Sequence, residues 1–355
     1  MRADAGRAAR ARAMRRRRAA AVVAGVATVA AAVYGVSRLG DAAGGGPDTG
    51  GDAAARPAEL LALQVTGTAN PLIALVGTGT GDRPPAYFTV PFDLTMTVPG
   101  QGEVSANEVA ELDGTSMRVA ISNTFGVWAK HFVVLDLEGL AAAVDRADGV
   151  PVQVPGAFAT DAGPIGPGEA RLDGEQVAAL LEVRDASGEA RWAAVLEGLL
   201  REPLPLQPDD ATDSSGVDRV RPALGASRGA GLALFPTISV AASVLVPQQP
   251  EFDREVSRAF GWGFPTPVIV ENGVGTPGLG EDVAAVLLPE GFRIVVSQNA
   301  EPFGYARTKV VANGGAALAD AERIRRALGV GRIGVSRVPS GIGDITIIVG
   351  EDFTG

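Results

Sequence analysis

The amino-acid sequence predicts an α/β protein that is held at a membrane by one N-terminal helix. Three observations carry this prediction. A block of arginines precedes an uncharged apolar run of 18 residues, from Ala19 to Val36. Short apolar strands alternate with amphipathic helices from Leu60 onwards. Near the C-terminus the elements follow the order β-α-β-β-α-β-β, which is typical of a small α/β domain.

The charge distribution separates a basic tail from an acidic body. Residues 1–18 carry eight arginines and Asp4, whereas the whole chain has a formal net charge of −10, so positions 19–355 carry −17. Nucleic-acid affinity comes largely from Lys and Arg side chains that neutralise phosphates, so we expect no nucleic-acid partner. The chain has no cysteine and one histidine, His131, which excludes disulfides, thiolate metal sites and sites with two imidazoles.

The apolar run is long enough to cross the hydrocarbon core of a bilayer as a helix. Arg15 to Arg18 stand directly before it, and positively charged flanks remain on the cytoplasmic side. We therefore expect a basic cytoplasmic tail over 1–18, a single transmembrane helix over 19–37 and a body outside the cytoplasm. A cleavable signal peptide and a buried alanine-rich helix are the alternatives. The length of the run disfavours the first, and the arginines disfavour the second.

A Gly-, Ala- and Asp-rich segment over 38–58 predicts a flexible linker. A central domain over 59–262 and a C-terminal domain over 265–353 follow it. In the central domain we expect strands at 72–76, 86–90, 131–137 and 151–155, and helices at 117–123, 137–145, 172–181 and 191–200. The polar stretch 203–218 predicts a surface excursion.

Several stretches of the central domain share the pattern of one known family. They are Thr89 to Asp93 with TMTVPG at 95–100, Asn107, Asp113–Gly114, HFVVLDLEGLAAAVDRADGVPVQVP at 131–155, and Pro167–Gly168 followed by LDGEQ at 172–176. On these residues the chain resembles the LytR-CpsA-Psr (LCP) family over about residues 60–260. The resemblance implies a central α-β-α domain with a mixed sheet. It also implies transfer of a polyprenyl-pyrophosphate-linked glycopolymer onto peptidoglycan, with magnesium, acidic residues and an arginine cluster.

Many residues that would carry this chemistry are replaced. Asn70–Pro71 stands where the family has an acid, and Phe92, Glu182 and Gly188 stand where it has arginines. Trp192 takes the place of a glutamine. Arginine forks match the geometry of phosphate oxygens, so each replacement weakens the hold on a diphosphate. The reversed charge at position 182 alone costs roughly 1–4 kcal/mol at about 4 Å, for effective dielectric constants of about 80 to 20.

Four residues keep the family's residue type at matching positions, and they are Asp93, Arg184, Asp185 and Arg191. We treat them as candidates for residual binding of phosphate or polyprenyl phosphate, with ordinary surface or ion-pair roles as the alternative. No catalytic residue and no metal ligand is assigned. We expect no cofactor, except magnesium if the chain is active.

Two further polar features of the central domain indicate structural roles. Asp173 stands ahead of Glu175 and Gln176 in the LDGEQ run, which is typical of a helix N-cap. His131 opens an apolar strand, a position that favours a structural histidine over a ligand-binding one.

In the C-terminal domain we expect strands at 268–272, 292–297, 308–312, 332–338 and 344–350, and helices at 279–288 and 317–329. Val270 to Gly273, Gly278–Leu279 and the ending ITIIVGEDF resemble the LytR C-terminal domain. The loop from Gly273 to Gly278 is also a literal GxGxxG between a strand and a helix. Pro277 removes a backbone donor, and the next strand offers no acid for a ribose until Glu301. Dinucleotide binding is therefore disfavoured.

Together these features predict a membrane-anchored, extracytoplasmic protein of the cell envelope, with a catalytically degenerate central domain. We expect a non-catalytic binding or adaptor relative of the cell-wall glycopolymer ligases. Its expected partners are a cell-wall glycan, a polyprenyl-linked lipid or an envelope protein. The alternative is an active magnesium-dependent phosphotransferase that attaches polyprenyl-pyrophosphate-linked glycopolymer to peptidoglycan. A transcriptional regulator, the third possibility, conflicts with the predicted topology.

Overall fold

The computed structural model describes residues 57–355, apart from 69–71, 162, 184–186, 203, 235, 242–243 and 338–340. The described residues belong to one compact unit, and no helix among them is long and apolar enough to cross a membrane. The predicted basic tail, the transmembrane helix and almost all of the linker lie outside the described residues. Asn70–Pro71, Arg184 and Asp185 lie outside them as well.

The strands of the central domain are short, and many lie between glycine- or proline-rich turns. In chain order they are β1 (Leu60–Thr66), β2 (Leu72–Gly77), β3 (Ala86–Val90), β4 (Thr95–Val98), β5 (Gly102–Ser105), β6 (Ala129–Asp136), β7 (Val150–Val154), β8 (Phe158–Thr160), β9 (Gly163–Ile165), β10 (Gly168–Leu172), β11 (Ala211–Ser214), β12 (Gly231–Leu232), β13 (Thr237–Ala241) and β14 (Val244–Pro247). The helices are α1 (Ala106–Val109), α2 (Gly114–Phe125), α3 (Leu137–Arg146), α4 (Gly174–Glu182), α5 (Gly188–Arg201), α6 (Val217–Ala226) and α7 (Glu251–Phe260).

A six-stranded mixed sheet organises the central domain, in the order β11-β6-β1-β2-β3-β12. β1 runs antiparallel to β2 and parallel to β6, so Leu63 pairs with Ala74 on one side and with Val133 on the other. β3 pairs antiparallel with β2, and β11 pairs antiparallel with β6. The pairs β4-β5, β7-β10, β8-β9 and β13-β14 form small two-stranded sheets.

Both faces of the six-stranded sheet are buried. Successive side chains of a strand point to opposite faces. Leu61 and Leu63 therefore pack into a core shared with α3, α4, α5 and α6. Leu60 and Ala62 pack into a second core shared with α2 and α7. Helices on both sides of a mixed sheet confirm the predicted α/β class and its central sheet.

The expectation of a surface excursion at 203–218 holds only in part, because exposed residues alternate there with buried ones. Leu204 and Leu206 are buried in the core that contains α5. Asp210 is also buried, and Arg146 of α3 donates to its carboxylate. The polar residues of β11 then form an edge strand, which needs hydrogen bonds from β6 alone and little apolar surface.

The C-terminal domain shows the predicted order of elements. Its strands and helices are β15 (Thr266–Asn272), α8 (Leu279–Leu287), β16 (Phe292–Asn299), β17 (Lys309–Ala312), α9 (Leu318–Leu328), β18 (Arg332–Val335) and β19 (Ile345–Val349). They form a five-stranded sheet in the order β16-β15-β19-β17-β18. The apolar faces of α8 and α9 cover the core on one side of it.

The two domains share a buried contact through α2. Asn123 Nδ2 donates to the carbonyl of Ile294 at 2.9 Å, and the Ile294 N–H donates to Asn123 Oδ1 at 2.7 Å. Val119, one turn earlier on α2, belongs to the core of the C-terminal domain. The central domain therefore contributes both a backbone-like pair of hydrogen bonds and apolar area to the edge strand β16.

Candidate functional site

Candidate residues from two distant parts of the sequence meet where the loop after β3 passes the start of α5. A Cβ placed on Gly188 would lie 3.5 Å from Phe92 Cε2 and 3.9 Å from Arg191 Nη2. The aromatic ring and the guanidinium group therefore both border the first turn of α5. This group of residues, Phe92, Asp93, Gly188, Glu189 and Arg191, is called the α5 cluster below.

The scaffold fixes the loop side of the α5 cluster. β3 ends at Val90, and the chain turns away from the sheet at Pro91. The carbonyl of Asp93 accepts a hydrogen bond from the backbone N–H of Leu245 at 2.8 Å, so β14 holds the loop. Phe92 packs against the core that α3 to α6 share. An arginine at position 92 would have to leave that apolar surface to reach an anion.

Arg191 serves the backbone of the fold. Its side chain is only 5% exposed, and Nη2 donates to the carbonyl of Val183 at 2.5 Å. Val183 directly follows α4, so this bond ties the end of α4 to the first turn of α5. The next residue, Trp192, is buried as well and donates from Nε1 to the carbonyl of Ile73 at 3.3 Å. Packing thus fixes the orientation of α5 at both residues.

Glu189 adds a second carboxylate beside Asp93. Desolvation by the surrounding atoms raises the pKa of Glu189, and the nearby charge of Asp93 raises it further. A hydrogen bond from the backbone of Phe92 opposes both effects. The sequence gives no signal for Glu189, because only the folded chain brings residue 189 to residue 93.

The four predicted binding residues have different outcomes. Asp93 and Arg191 are brought to the same cluster. Arg184 and Asp185 lie outside the described residues, so their part in the site stays a prediction. Glu182, the last residue of α4, is exposed to solvent.

The LDGEQ run folds as the sequence predicts. Asp173 is the N-cap of α4, with its carboxylate accepting from the N–H of Gln176 at 2.9 Å, and the Gln176 side chain accepts from the N–H of Asp173 at 3.1 Å. This reciprocal pair is a capping box, which satisfies two of the amides left unpaired at a helix start. Gly174 packs closely on α3, since a Cβ there would lie 2.3 Å from the carbonyl oxygen of Ala141.

His131 takes part in a structural polar contact. Its Nε2 lies 2.6 Å from Glu59 Oε1, and Lys130 Nζ donates to Glu59 Oε2 at 2.9 Å. The hydrogen bond from Lys130, more than that from His131, lowers the pKa of Glu59 against a smaller opposing effect of burial. The contact joins the start of β6 to the residue before β1.

An apolar groove of about 520 Å³ runs along α5 beyond the cluster. Its lining includes Tyr87, Val154, Ala190, Ala193 and Leu232. The Tyr87 hydroxyl donates to the carbonyl of Ala193 at 3.3 Å, and burial raises the pKa of Tyr87 to about 12. The groove is therefore largely apolar, with Gln153 and Glu197 also in its lining and a Tyr87 hydroxyl that bonds internally. Deeper in the core, a void lined by leucines and valines measures about 10 Å³, roughly the space of one water.

Whether the α5 cluster could hold a metal ion depends on the donor atoms that it offers. Among the described residues, no group of three or more His, Asp or Glu side chains could hold one. Asp93 and Glu189 together offer two carboxylates. Mg²⁺ is usually held by one or two protein carboxylates, with water and substrate phosphates completing its octahedron. This pair therefore fits the number of protein ligands that magnesium needs, while the raised pKa of Glu189 weakens it as a ligand.

Two family models match the chain. Residues 80–191 match the LytR_cpsA_psr family, a span that contains the whole α5 cluster. Residues 266–353 match the model described as LytR cell envelope-related transcriptional attenuator. The chain carries an LCP domain followed by a LytR C-terminal domain.

Solved structures of LCP proteins are similar to this chain at low identity. TagU of Bacillus subtilis is 14% identical, with 57% of this chain and 95% of TagU covered and a TM-score of 0.46. A LytR-Csp2A-Psr enzyme from Actinomyces oris is 19% identical (59% and 91% covered, TM-score 0.43). YwtF (TagT) with bound octaprenyl pyrophosphate lipid is 16% identical (60% and 94% covered, TM-score 0.43). No curated protein sequence matches the chain.

The GxGxxG loop belongs to the LytR C-terminal domain. Asn272 Oδ1 accepts from the N–H groups of Val274 at 3.1 Å and Gly275 at 2.7 Å, and Nδ2 donates to the carbonyl of Thr276 at 2.8 Å. The side chain of the last strand residue therefore closes the loop from inside. Two backbone donors that a phosphate would need are already occupied.

Proposed function

We propose that this LCP chain is a membrane-anchored, extracytoplasmic binding or adaptor protein of the cell envelope. Its central domain holds a polyprenyl-linked or glycan ligand and does not transfer it. The arginine block before the apolar run at 19–36 supports the anchor. The α5 cluster supports the loss of chemistry.

The observation that carries this proposal is the role of Arg191. Transfer of a diphosphate-linked group needs donors and cations aimed at the oxygens where charge develops. In the described part of the cluster, the guanidinium of Arg191 donates to the carbonyl of Val183. Phe92 and Gly188 stand where the family supplies two more arginines. Asp93 and Glu189 would add repulsion toward an anionic substrate in the absence of a metal ion.

The groove along α5 supports a lipid-linked ligand. YwtF (TagT) has been solved with octaprenyl pyrophosphate lipid bound. Here the groove begins beside the α5 cluster and is lined largely by apolar side chains. Burying an isoprenoid on it gains about 25 cal/mol for each Å² of apolar surface removed from water. Retention of the lipid tail therefore needs none of the lost arginines.

One observation favours the alternative function, an active magnesium-dependent phosphotransferase. The Asp93–Glu189 pair could hold one Mg²⁺, whose charge would replace part of the missing arginine charge. This alternative requires both carboxylates to be ionised in the presence of metal. It predicts tight, metal-dependent binding of pyrophosphate, whereas the adaptor proposal predicts weak binding with or without Mg²⁺.

Calorimetric titration of the purified protein with inorganic pyrophosphate distinguishes the two functions. We expect weak binding to the wild type and about tenfold tighter binding to the Phe92→Arg/Glu182→Arg variant, since charge-assisted bonds to phosphate are the strong ones. The control variant Phe264→Arg/Glu111→Arg changes the net charge equally at exposed positions elsewhere and should bind like the wild type. Tight Mg²⁺-dependent binding to the wild type would favour the transferase.

The topology is tested separately. A reporter that is active only in the cytoplasm, fused after Gly355, should be inactive in the intact cell. Activity of that fusion would place the body of the protein in the cytoplasm and remove the envelope from the proposal.

A further inference from the structure

A second concave site lies in the LytR C-terminal domain, far in sequence from the α5 cluster. The cavity measures about 350 Å³ and is lined by the ends of β15 and β16, the loop from Gly275 to Gly280, and the turn of the β4-β5 hairpin. Asn272, Ser297, Gln298 and Asn299 line it together with Gly100, Gln101 and the loop, and Gln298 Nε2 donates to Glu271 Oε1 at 3.0 Å. Both domains therefore build its walls.

Direct bonds between the domains fix the shape of this cavity. The N–H of Gly100 donates to Ser297 Oγ at 2.9 Å. Gln101 Nε2 donates to Glu281 Oε1 at 2.8 Å. A Cβ on Gly280 would lie 2.6 Å from the Gly100 nitrogen and 2.7 Å from Ser297 Oγ. The hairpin turn and the start of α8 are thus in the closest contact that backbone allows, and the cavity is preformed.

The lining chemistry selects a neutral polar ligand. Every lining residue is uncharged, and its polar side chains are amides and hydroxyls. Amides both donate and accept hydrogen bonds, as the hydroxyl groups of a ligand do. The first turn of α8 adds the acids Glu281 and Asp282, which would repel a phosphate or carboxylate. An anion is therefore disfavoured at this helix start.

An exposed aromatic ring stands beside the cavity. Phe303 is 52% exposed, and a Cβ on Gly275 would lie 3.5 Å from Phe303 Cε1. A large apolar side chain at the surface next to a polar cavity is the combination that a ligand with one apolar face and many hydroxyls requires. The C–H face of a pyranose ring has that character, and its contact with an aromatic ring is a weak attraction.

We propose that this cavity binds a neutral saccharide of one or two rings, with Phe303 against a sugar face and Asn299 bonding hydroxyl or acetamido groups. The volume lies near the lower end of the 300–1,000 Å³ that ligand pockets typically span, which suits a disaccharide unit. Through this site the protein would bind glycan independently of the central domain.

The test uses N,N′-diacetylchitobiose, a neutral disaccharide, titrated into the purified full-length protein and followed by saturation-transfer NMR. We expect saturable binding that weakens about fivefold in Phe303→Ala and about fivefold in Asn299→Ala, the loss of about one contact each. Val335→Ala removes an equally exposed apolar side chain elsewhere in the domain and should leave the affinity unchanged. All three positions are exposed, so these variants should fold, which their melting temperatures check.

Three results would overturn the saccharide site: no saturable binding, equal affinity in all variants, or displacement of the disaccharide by inorganic phosphate at similar concentration. The Phe92→Arg/Glu182→Arg variant separates this site from the proposed function of the central domain. It should bind the disaccharide like the wild type. A loss of disaccharide binding in that variant would place the sugar at the α5 cluster instead.

Discussion

Arg191 in the α5 cluster and Arg293 on β16 are buried to the same degree, at 5% and 6% exposure, and each joins separate elements of the fold. Arg293 donates from both Nη atoms to the Asp253 carboxylate, at 3.0 and 2.6 Å, from Nε to the carbonyl of Asn123 and from Nη2 to that of Thr124. Arg191 donates to the carbonyl of Val183. Arg293 pairs with a carboxylate across the domain contact, whereas the bond from Arg191 to Val183 joins the end of α4 to the start of α5.

The comparison indicates that an arginine at a family site position can have a structural role in place of a ligand-binding one. Removing a buried charge that pairs with a carboxylate leaves the carboxylate uncompensated. Removing one that bonds a carbonyl leaves a neutral acceptor unsatisfied, which costs less. If Arg191 stabilises the fold, its substitution should lower the free energy of unfolding and leave the affinity for a ligand unchanged.

The largest effect is expected at the domain contact. Asp253→Ala leaves Arg293 buried without its carboxylate and should lower the free energy of unfolding by about 3–5 kcal/mol. Urea denaturation measures the change. The control Glu251→Ala breaks the exposed pair with Arg254 on the same helix and should cost about 0.2–1 kcal/mol. Equal costs in the two variants would mean that the domain contact contributes no more than the protein surface.

A smaller loss is expected for Asn123→Ala. The substitution leaves the N–H and the carbonyl of Ile294 without partners, so we expect a cost of about 2–3 kcal/mol. Hydrogen exchange should show faster exchange of the Ile294 amide and its neighbours on β16. Thr115→Ala, at an exposed position on the same helix, should leave that exchange unchanged. Unaltered protection of β16 in Asn123→Ala would show that the domains hold together without this bond.

Arg191→Met should cost at least about 1–2 kcal/mol, because the hydrogen bond to the Val183 carbonyl is lost while the apolar stem is kept. It should leave the affinity for inorganic pyrophosphate unchanged, as judged by calorimetry. A large drop in pyrophosphate affinity with little loss of stability would assign Arg191 to ligand binding and reverse the comparison with Arg293.

The smallest effect concerns Glu189 and depends on pH. Its pKa is raised on folding, so the folded state disfavours the ionised form. This penalty is absent at pH values below the ordinary glutamate pKa and grows as the pH rises through the raised value. Glu189→Gln should therefore raise the melting temperature at pH 7 and leave it unchanged near pH 4. A decrease of the melting temperature at pH 7 in Glu189→Gln would contradict the assignment.

The periodicity of apolar residues and the positions of glycine and proline predicted most of the fold. β3 was placed at its observed bounds, and the C-terminal domain was predicted element by element, because its apolar strands and helices end at glycines and prolines. β11 was missed, since an edge strand bonded to β6 alone carries little apolar signal. At the site, the resemblance brought positions 92, 188 and 191 together. It could not show that Arg191 turns to Val183 or that Glu189 approaches Asp93, because side-chain partners depend on tertiary packing.

The most direct test of the proposal that the chain does not catalyse transfer is turnover of a polyprenyl-pyrophosphate-linked substrate by the purified protein with Mg²⁺. The account predicts no release of polyprenyl phosphate above the rate without protein, with or without an acceptor glycan. It predicts the same for Asp93→Ala. Magnesium-dependent release by the wild type that is abolished in Asp93→Ala would contradict the account and establish the chain as an active transferase.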